Sequence, residues 1–244
     1  MGFFCEKLLL IELFTQPLVQ LTYQKEALYL TINIRLEEPK DHYFVELITR
    51  KAFWNLYTPG AVEHLIVHQL RQHPDFIPEL AFVIELDEKI IGSIFYSKSK
   101  VVDASGKEFP LITFGPVSID PDYHRQGYGK KLIAHSIAEA KKIGYPAIVI
   151  GGFPYHYQPY GFVGTKKYSI SMPDGKYYTG IMALPLQANA LDSIQGRVFF
   201  SEAMEPDLEQ LAAYDEAFPK KEKQVLECQA VFEVAVAEID TTIY

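Results

Sequence analysis

The sequence predicts an α/β fold: a mixed, mostly antiparallel central sheet flanked by helices. Three observations carry this. Residues 81–97 hold two apolar runs on either side of Asp87-Glu88, the pattern of an antiparallel hairpin. Residues 111–150 run strand, helix, strand, so those two strands must be parallel and joined by a right-handed crossover. The 244 residues are 48% hydrophobic and 14% aromatic, enough to bury a full core and too apolar for a disordered chain.

The elements follow in order. Residues 1–30 include the apolar run Leu8–Phe14, interrupted by Glu12, and read as a short helix or an extended lead-in. Thr31–Leu36 alternates as a strand does. Pro39 opens a helix in which Phe44, Leu47, Ile48 and Ala52 share a face. After Pro59-Gly60 a second helix carries Val62, Leu65, Ile66 and Leu70. His64 and His68 lie opposite that stripe, so they are expected on a solvated face. Leu111–Ile119 is a strand, and Gly115-Pro116 inside it predicts a bulge or a stop in pairing. Tyr128–Gly144 is a strong amphipathic helix, and Ala147–Ile150 is a strand buried on both faces. Lys166–Met172 and Lys176–Leu184 look like a closing hairpin around Pro173-Asp174-Gly175. Beyond Pro185 a strand is expected near Arg197–Ser201, a helix near Glu205–Ala217 and a strand near Ala230–Val236.

Charge narrows the function. Lys and Arg total 23 and Asp and Glu 31, a formal net charge of −8, so no broad basic face for nucleic acid is expected. Nothing reaches the ~18 consecutive apolar residues of a membrane span, and the Leu8–Phe14 run lacks the flanks of a secretory signal. Cys5 and Cys228 make no disulfide framework or cysteine-based metal site, which suits a reducing cytoplasm. No metal site is expected. His64 and His68 lack the intervening glutamate of the H-E-x-x-H motif, and Cys228 has no basic partner to activate it.

The most informative stretch is Pro121–Leu132, where a strand ends, two glycines follow and a helix begins. Free N–H groups and the positive dipole end make a helix start a phosphate site. Gly127 and Gly129 admit an anion closely, and Arg125, Lys130 and Lys131 add positive charge. A P-loop is excluded, because His124 and Lys131 stand where it needs glycine and Ser or Thr. The dinucleotide fingerprint is excluded by Leu132.

The segment resembles the acetyl-CoA loop of the GNAT superfamily of N-acetyltransferases, Q/R-x-x-G-x-G/A. Gly127 and Gly129 fall on its small positions, and His124 stands where the family usually has Gln or Arg. Tyr155–Phe162 is similar to the family's aromatic ending, F/Y-Y-x-x-x-G-F, with Tyr157 four residues before Gly161. The likeness covers about residues 31–186. It divides the chain into a lead-in (1–30), an acetyltransferase domain (31–186) and a C-terminal α/β extension packed on the core (187–244).

The resemblance implies a parallel strand pair that splays apart and direct transfer of an acetyl group from acetyl-CoA, the co-substrate, to a primary amine. It places acetyl-CoA against Val117, Ser118, Ile119, His124, Arg125, Gln126, Gly127, Tyr128, Gly129 and Lys130. It gives Tyr157 the role of meeting the departing thiolate. A phenol near pKa ~10 facing a thiol near ~8.5 makes full proton transfer uphill by about 2 kcal/mol, so Tyr157 is expected to act as a hydrogen-bond donor. No residue is assigned as base, Glu85 and a water chain being the weak candidates. Phe53, Trp54 and Tyr57 are candidates either for the acceptor pocket or for ordinary core and rim packing. The acceptor is a small-molecule or peptide amine, and a homodimer is compatible with the sequence. The alternative is a non-catalytic acyl-CoA-binding sensor or interaction module.

Overall fold

The computed structural model describes residues 30–244, so the expected lead-in falls, but for Leu30, outside the described residues. β1 (Ile32–Leu36) pairs antiparallel with β2 (Phe82–Leu86), which turns into β3 (Lys89–Val102). Asp87 and Glu88 both have positive φ, 48° and 65°, the backbone of the tight turn that matches strand twist. β4 (Glu108–Ile119) follows antiparallel to β3. α3 (Tyr128–Ile143) then carries the chain over the sheet to β5 (Ala147–Gly151), parallel to β4 as the strand–helix–strand pattern requires. Gly127 begins this helix and Gly144 ends it, both at positive φ. The Gly144 N–H closes back on the Ala140 carbonyl.

Three further short strands complete the far side: β6 (Val163–Gly164), β7 (Ile170–Ser171) and β8 (Ile181–Pro185). β8 pairs antiparallel with β5 and β6, giving the order β1-β2-β3-β4-β5-β8-β6. β9 (Gly196–Phe199) pairs with the far end of β3 and with β7. The fold is therefore mixed α/β with a mostly antiparallel sheet and one parallel pair.

α1 (His42–Phe53) and α2 (Glu63–Leu70) cover one face, burying Val45, Val67 and Leu70 against Phe95. α3 covers the other, where Leu132, Ile133 and Ala140 pack on Ile94, Ile112 and Ile148. Each such side chain contributes about 1.5–3 kcal/mol on burial. Leu191, Ile194 and Val198 cap a third cluster over Val101, Leu111 and Val149. The last elements are α4 (Pro154–Tyr157), α5 (Leu208–Asp215) and α6 (Glu227–Ala237).

Three expectations are corrected. The closing hairpin does not form: Thr165–Tyr168 is a 3-10 turn, β7 pairs with β9, and β8 pairs with β5 and β6 rather than with β7. The strand near Ala230–Val236 is the helix α6, with Gln229 and Phe232, three apart, turned toward the body of the protein. His64 is not solvated but fully buried, because Tyr214, Asp215 and Phe218 close over it.

Candidate active site

The gap between β4 and β5 is the centre of the site. The two strands share one register pair, Ile112 with Ile148, and nothing beyond it. On the other edge, the β3–β4 register slips between Ile94 and Tyr96, setting Gly115-Pro116 against Phe95 alone. This is the bulge that the Gly-Pro pair predicts. Past it, the Asp120 N–H donates to Ile91 on β3. By the alternation of an antiparallel ladder, Ser118 also faces β3, while the Val117 and Ile119 peptides face the gap.

Ser118 is thus placed apart from the gap. Its hydroxyl lies 3.1 Å from that of Thr49 and 3.0 Å from that of Ser93, a buried chain that ties α1 to the sheet. His124 turns back on the strand, its Nε2 lying 2.8 Å from the Ile119 carbonyl and donating to it in that tautomer. Its ring therefore fixes the angle between strand and loop.

The loop itself is built for an anion. Arg125 has φ 61° and Gly127 φ 85°, the kind of backbone that turns successive N–H groups to one side. The N–H groups of Gln126, Gly127, Tyr128, Gly129 and Lys130 donate to no acceptor among the described residues. The Tyr128 ring is buried and packs on Tyr123, so this residue offers only its backbone. Arg125, Lys130 and Lys131 are exposed and form no salt bridge with described residues. Just before the loop, Lys51 of α1 holds Asp120 at 2.6 Å and Asp122 at 2.7 Å. Those carboxylates are neutralised from behind, and the ion pair keeps the Asp122 carboxyl below its usual range.

Tyr157 stands at the other end of the gap. Its ring packs on Phe114 of β4, centroids 5.7 Å apart, and on Phe162 at 6.0 Å. Its hydroxyl bonds to no described residue. Burial pushes its pKa up to about 12, aided by Tyr160 nearby. Of the candidates for the acceptor pocket, Tyr57 faces this side, close enough for Tyr157, Glu63 and Tyr155 to perturb it. Phe53 packs on Tyr57 at 5.7 Å. Trp54 turns away and donates to the Glu222 carbonyl at 2.9 Å. Glu85 is committed to Arg35, at 2.6 Å, and to Asn33, so it is no free base.

One contributor to this region was not legible in the sequence. Phe232 of α6 stacks on Tyr57 with centroids 4.0 Å apart and stands edge-on to Phe153 at 6.0 Å.

A glycine-bearing helix start beside a parallel pair that shares one register position defines the class: a mixed α/β protein with open backbone donors at the head of its crossover helix. Residues 50–156 match the model of the Acetyltransferase (GNAT) family. Over that stretch, which is less than half of the chain, the sequence is similar to the GNAT acetyltransferases. It is similar to the Escherichia coli GNAT family N-acetyltransferase YhbS, solved in complex with CoA: 23% identity over 73% of this chain and 94% of that one, TM-score 0.63. It is also similar to a GNAT family acetyltransferase from Brucella melitensis solved with acetyl-CoA: 25% identity over 72% and 99%, TM-score 0.57. No curated protein matches the chain significantly. Among the described residues no helix is long and apolar enough to cross a membrane.

Proposed function

We propose that this chain transfers an acetyl group from acetyl-CoA to a primary amine, on a small molecule or a peptide, by direct attack. The observation that carries this reading is the set of N–H groups from Gln126 to Lys130 with no acceptor among the described residues, at the head of the helix that links the splayed strands. They would receive the pyrophosphate, with Arg125 and Lys130 beside it. The Val117 peptide and the Ile119 N–H would pair with the pantetheine arm. Residues 31–186 form the transferase core in this reading, and 187–244 extend it. Two relatives solved with CoA or acetyl-CoA support it, and the paucity of cysteine suits a cytoplasmic enzyme.

The chemistry balances simply. The amine nitrogen bonds to the acetyl carbon, the carbon–sulfur bond breaks, and the sulfur leaves with the electron pair. The amine must arrive neutral, which at pH 7 costs about 4.6 kcal/mol for a lysine-type amine and about 1 kcal/mol for an α-amine. Its proton leaves to water. Tyr157, with a pKa of about 12, stays protonated facing a thiolate, so it donates a hydrogen bond to the sulfur as charge develops there. A full transfer would cost about 5 kcal/mol against a thiol near ~8.5.

The test is release of free CoA thiol with a panel of amines, for wild type and Tyr157→Phe. Turnover with at least one amine, reduced in the variant while acetyl-CoA affinity holds, is expected. Acetyl-CoA binding with no amine-dependent thiol release would instead identify a binding module.

A further inference from the structure

We propose that Phe232, carried on the chain's own C-terminal helix, walls the acceptor side of the reaction centre and selects the amine by the bulk behind its nitrogen. This rests on the reading that Tyr157 marks that centre.

α6 is pinned at both ends, and Phe232 lies between the pins. At its start, Gln229 donates to the Asn55 carbonyl at 3.1 Å, and the Gln224 N–H donates to the Asn55 side chain at 3.1 Å. Asn55 lies just after α1. At its end, the Thr179 N–H donates to the Glu238 carbonyl and the Asp240 N–H to that of Tyr177, both at 2.9 Å. Lys166 also reaches the Asp240 carbonyl at 3.0 Å. The Tyr177–Thr179 segment adjoins Gly180, whose carbonyl accepts from Gly152, and Gly152 lies beneath the Tyr157 ring. The helix therefore bridges the turn after α1 to the segment beside Tyr157.

Between these pins Phe232 is only half-buried although it stacks on Tyr57 and abuts Phe153. Its neighbours Val231 and Val234 are exposed. The ring is thus directed inward onto an aromatic wall. Aromatic faces attract an ammonium group, and Glu63, at the first turn of α2, is near enough to influence Tyr57. The ligand class that fits is a compact primary amine on a slender apolar stem, drawn in as its ammonium form and losing a proton to water before attack, with Phe232 limiting the width of that stem.

The experiment compares kcat/KM of wild type, Phe232→Leu and Phe232→Ala across primary amines from short alkyl to branched and aryl-alkyl. Acetyl-CoA affinity is measured by calorimetry in parallel, and the emission of Trp54, the chain's single tryptophan, reports the seating of the adjoining segment. The expected result is a shift of at least tenfold toward bulky amines in Phe232→Ala, a smaller shift in Phe232→Leu, and unchanged acetyl-CoA affinity. Phe232→Leu carries the test if the alanine variant does not fold. A wild type that turns over amines, with the same bulk preference in the folded variants, overturns the role of Phe232 alone. A wild type that acetylates no amine overturns the transferase reading with it.

Discussion

The Cβ that Gly152 lacks would lie 2.6 Å from Cε2 of the Tyr157 ring. The ring rests on bare backbone because position 152 has no side chain, and Phe114 and Phe162 hold its other sides. The site of the hydroxyl is therefore set by a glycine five residues earlier. Gly152→Ala must push the ring out of that seat. We expect kcat to fall toward that of Tyr157→Phe, about a hundredfold below wild type, with acetyl-CoA affinity nearly unchanged. Single-turnover kinetics of the two variants check this. Normal kcat in Gly152→Ala would show that the ring position does not matter.

Lys51 offsets two carboxylates at the entrance of the phosphate loop. Lys51→Met would leave Asp120 and Asp122 uncompensated beside a polyanionic ligand. Acetyl-CoA affinity should weaken roughly three- to tenfold at low salt, the size of a Coulomb term at partly exposed sites. The deficit should shrink as salt is added. Titrations at two ionic strengths decide it, and a deficit independent of salt would point to a structural cause.

Asp215 joins the C-terminal part of the chain to both helices of one face. It lies 2.8 Å from Arg50 and 3.0 Å from His64. Arg50 is almost fully buried, at 4% exposure. Asp215→Ala leaves that charge without its carboxylate, with the Pro219 carbonyl the one acceptor left among the described residues. Loss of one partner from a buried pair costs about 3–5 kcal/mol. Chemical denaturation should show a loss of that order, and a loss under 1 kcal/mol would show the pair to be dispensable.

His64 makes stability depend on pH. Burial lowers its pKa from 6.5 to about 4, against the opposing pull of Asp215. The unfolded chain therefore binds a proton that the folded chain refuses between those values. The contribution is fully present above about pH 6.5 and is lost as pH falls toward 4. His64→Leu should flatten the melting temperature across that window. An unchanged slope would assign the acid sensitivity to other groups.

The phosphate loop and the parallel pair were legible because their chemistry is local. Two glycines and a helical stripe within one short stretch state the turn and the helix that follows it. The bulge at Gly115-Pro116 was legible for the same reason. α6 was not: its valine-rich apolar run reads as a strand, and the contacts of Phe232 and Gln229 with distant residues hold it as a helix. His64 was misjudged because the segment that buries it lies far along the chain. The 166–184 region deceived through its turn residues, which form a real turn, while the pairing of β7 is with the distant β9. Tyr157 was visible by its place before Gly161, but the glycine that seats it was not.

The central claim is that the head of α3 holds acetyl-CoA. Calorimetric titration of the full chain beside Gly127→Glu tests it most directly. The variant forces a side chain onto φ 85° and sets a carboxylate where phosphate would sit. Micromolar binding by wild type, lost in a variant that still melts cooperatively, is the predicted result. No binding by wild type, or equal binding by both, would contradict the account.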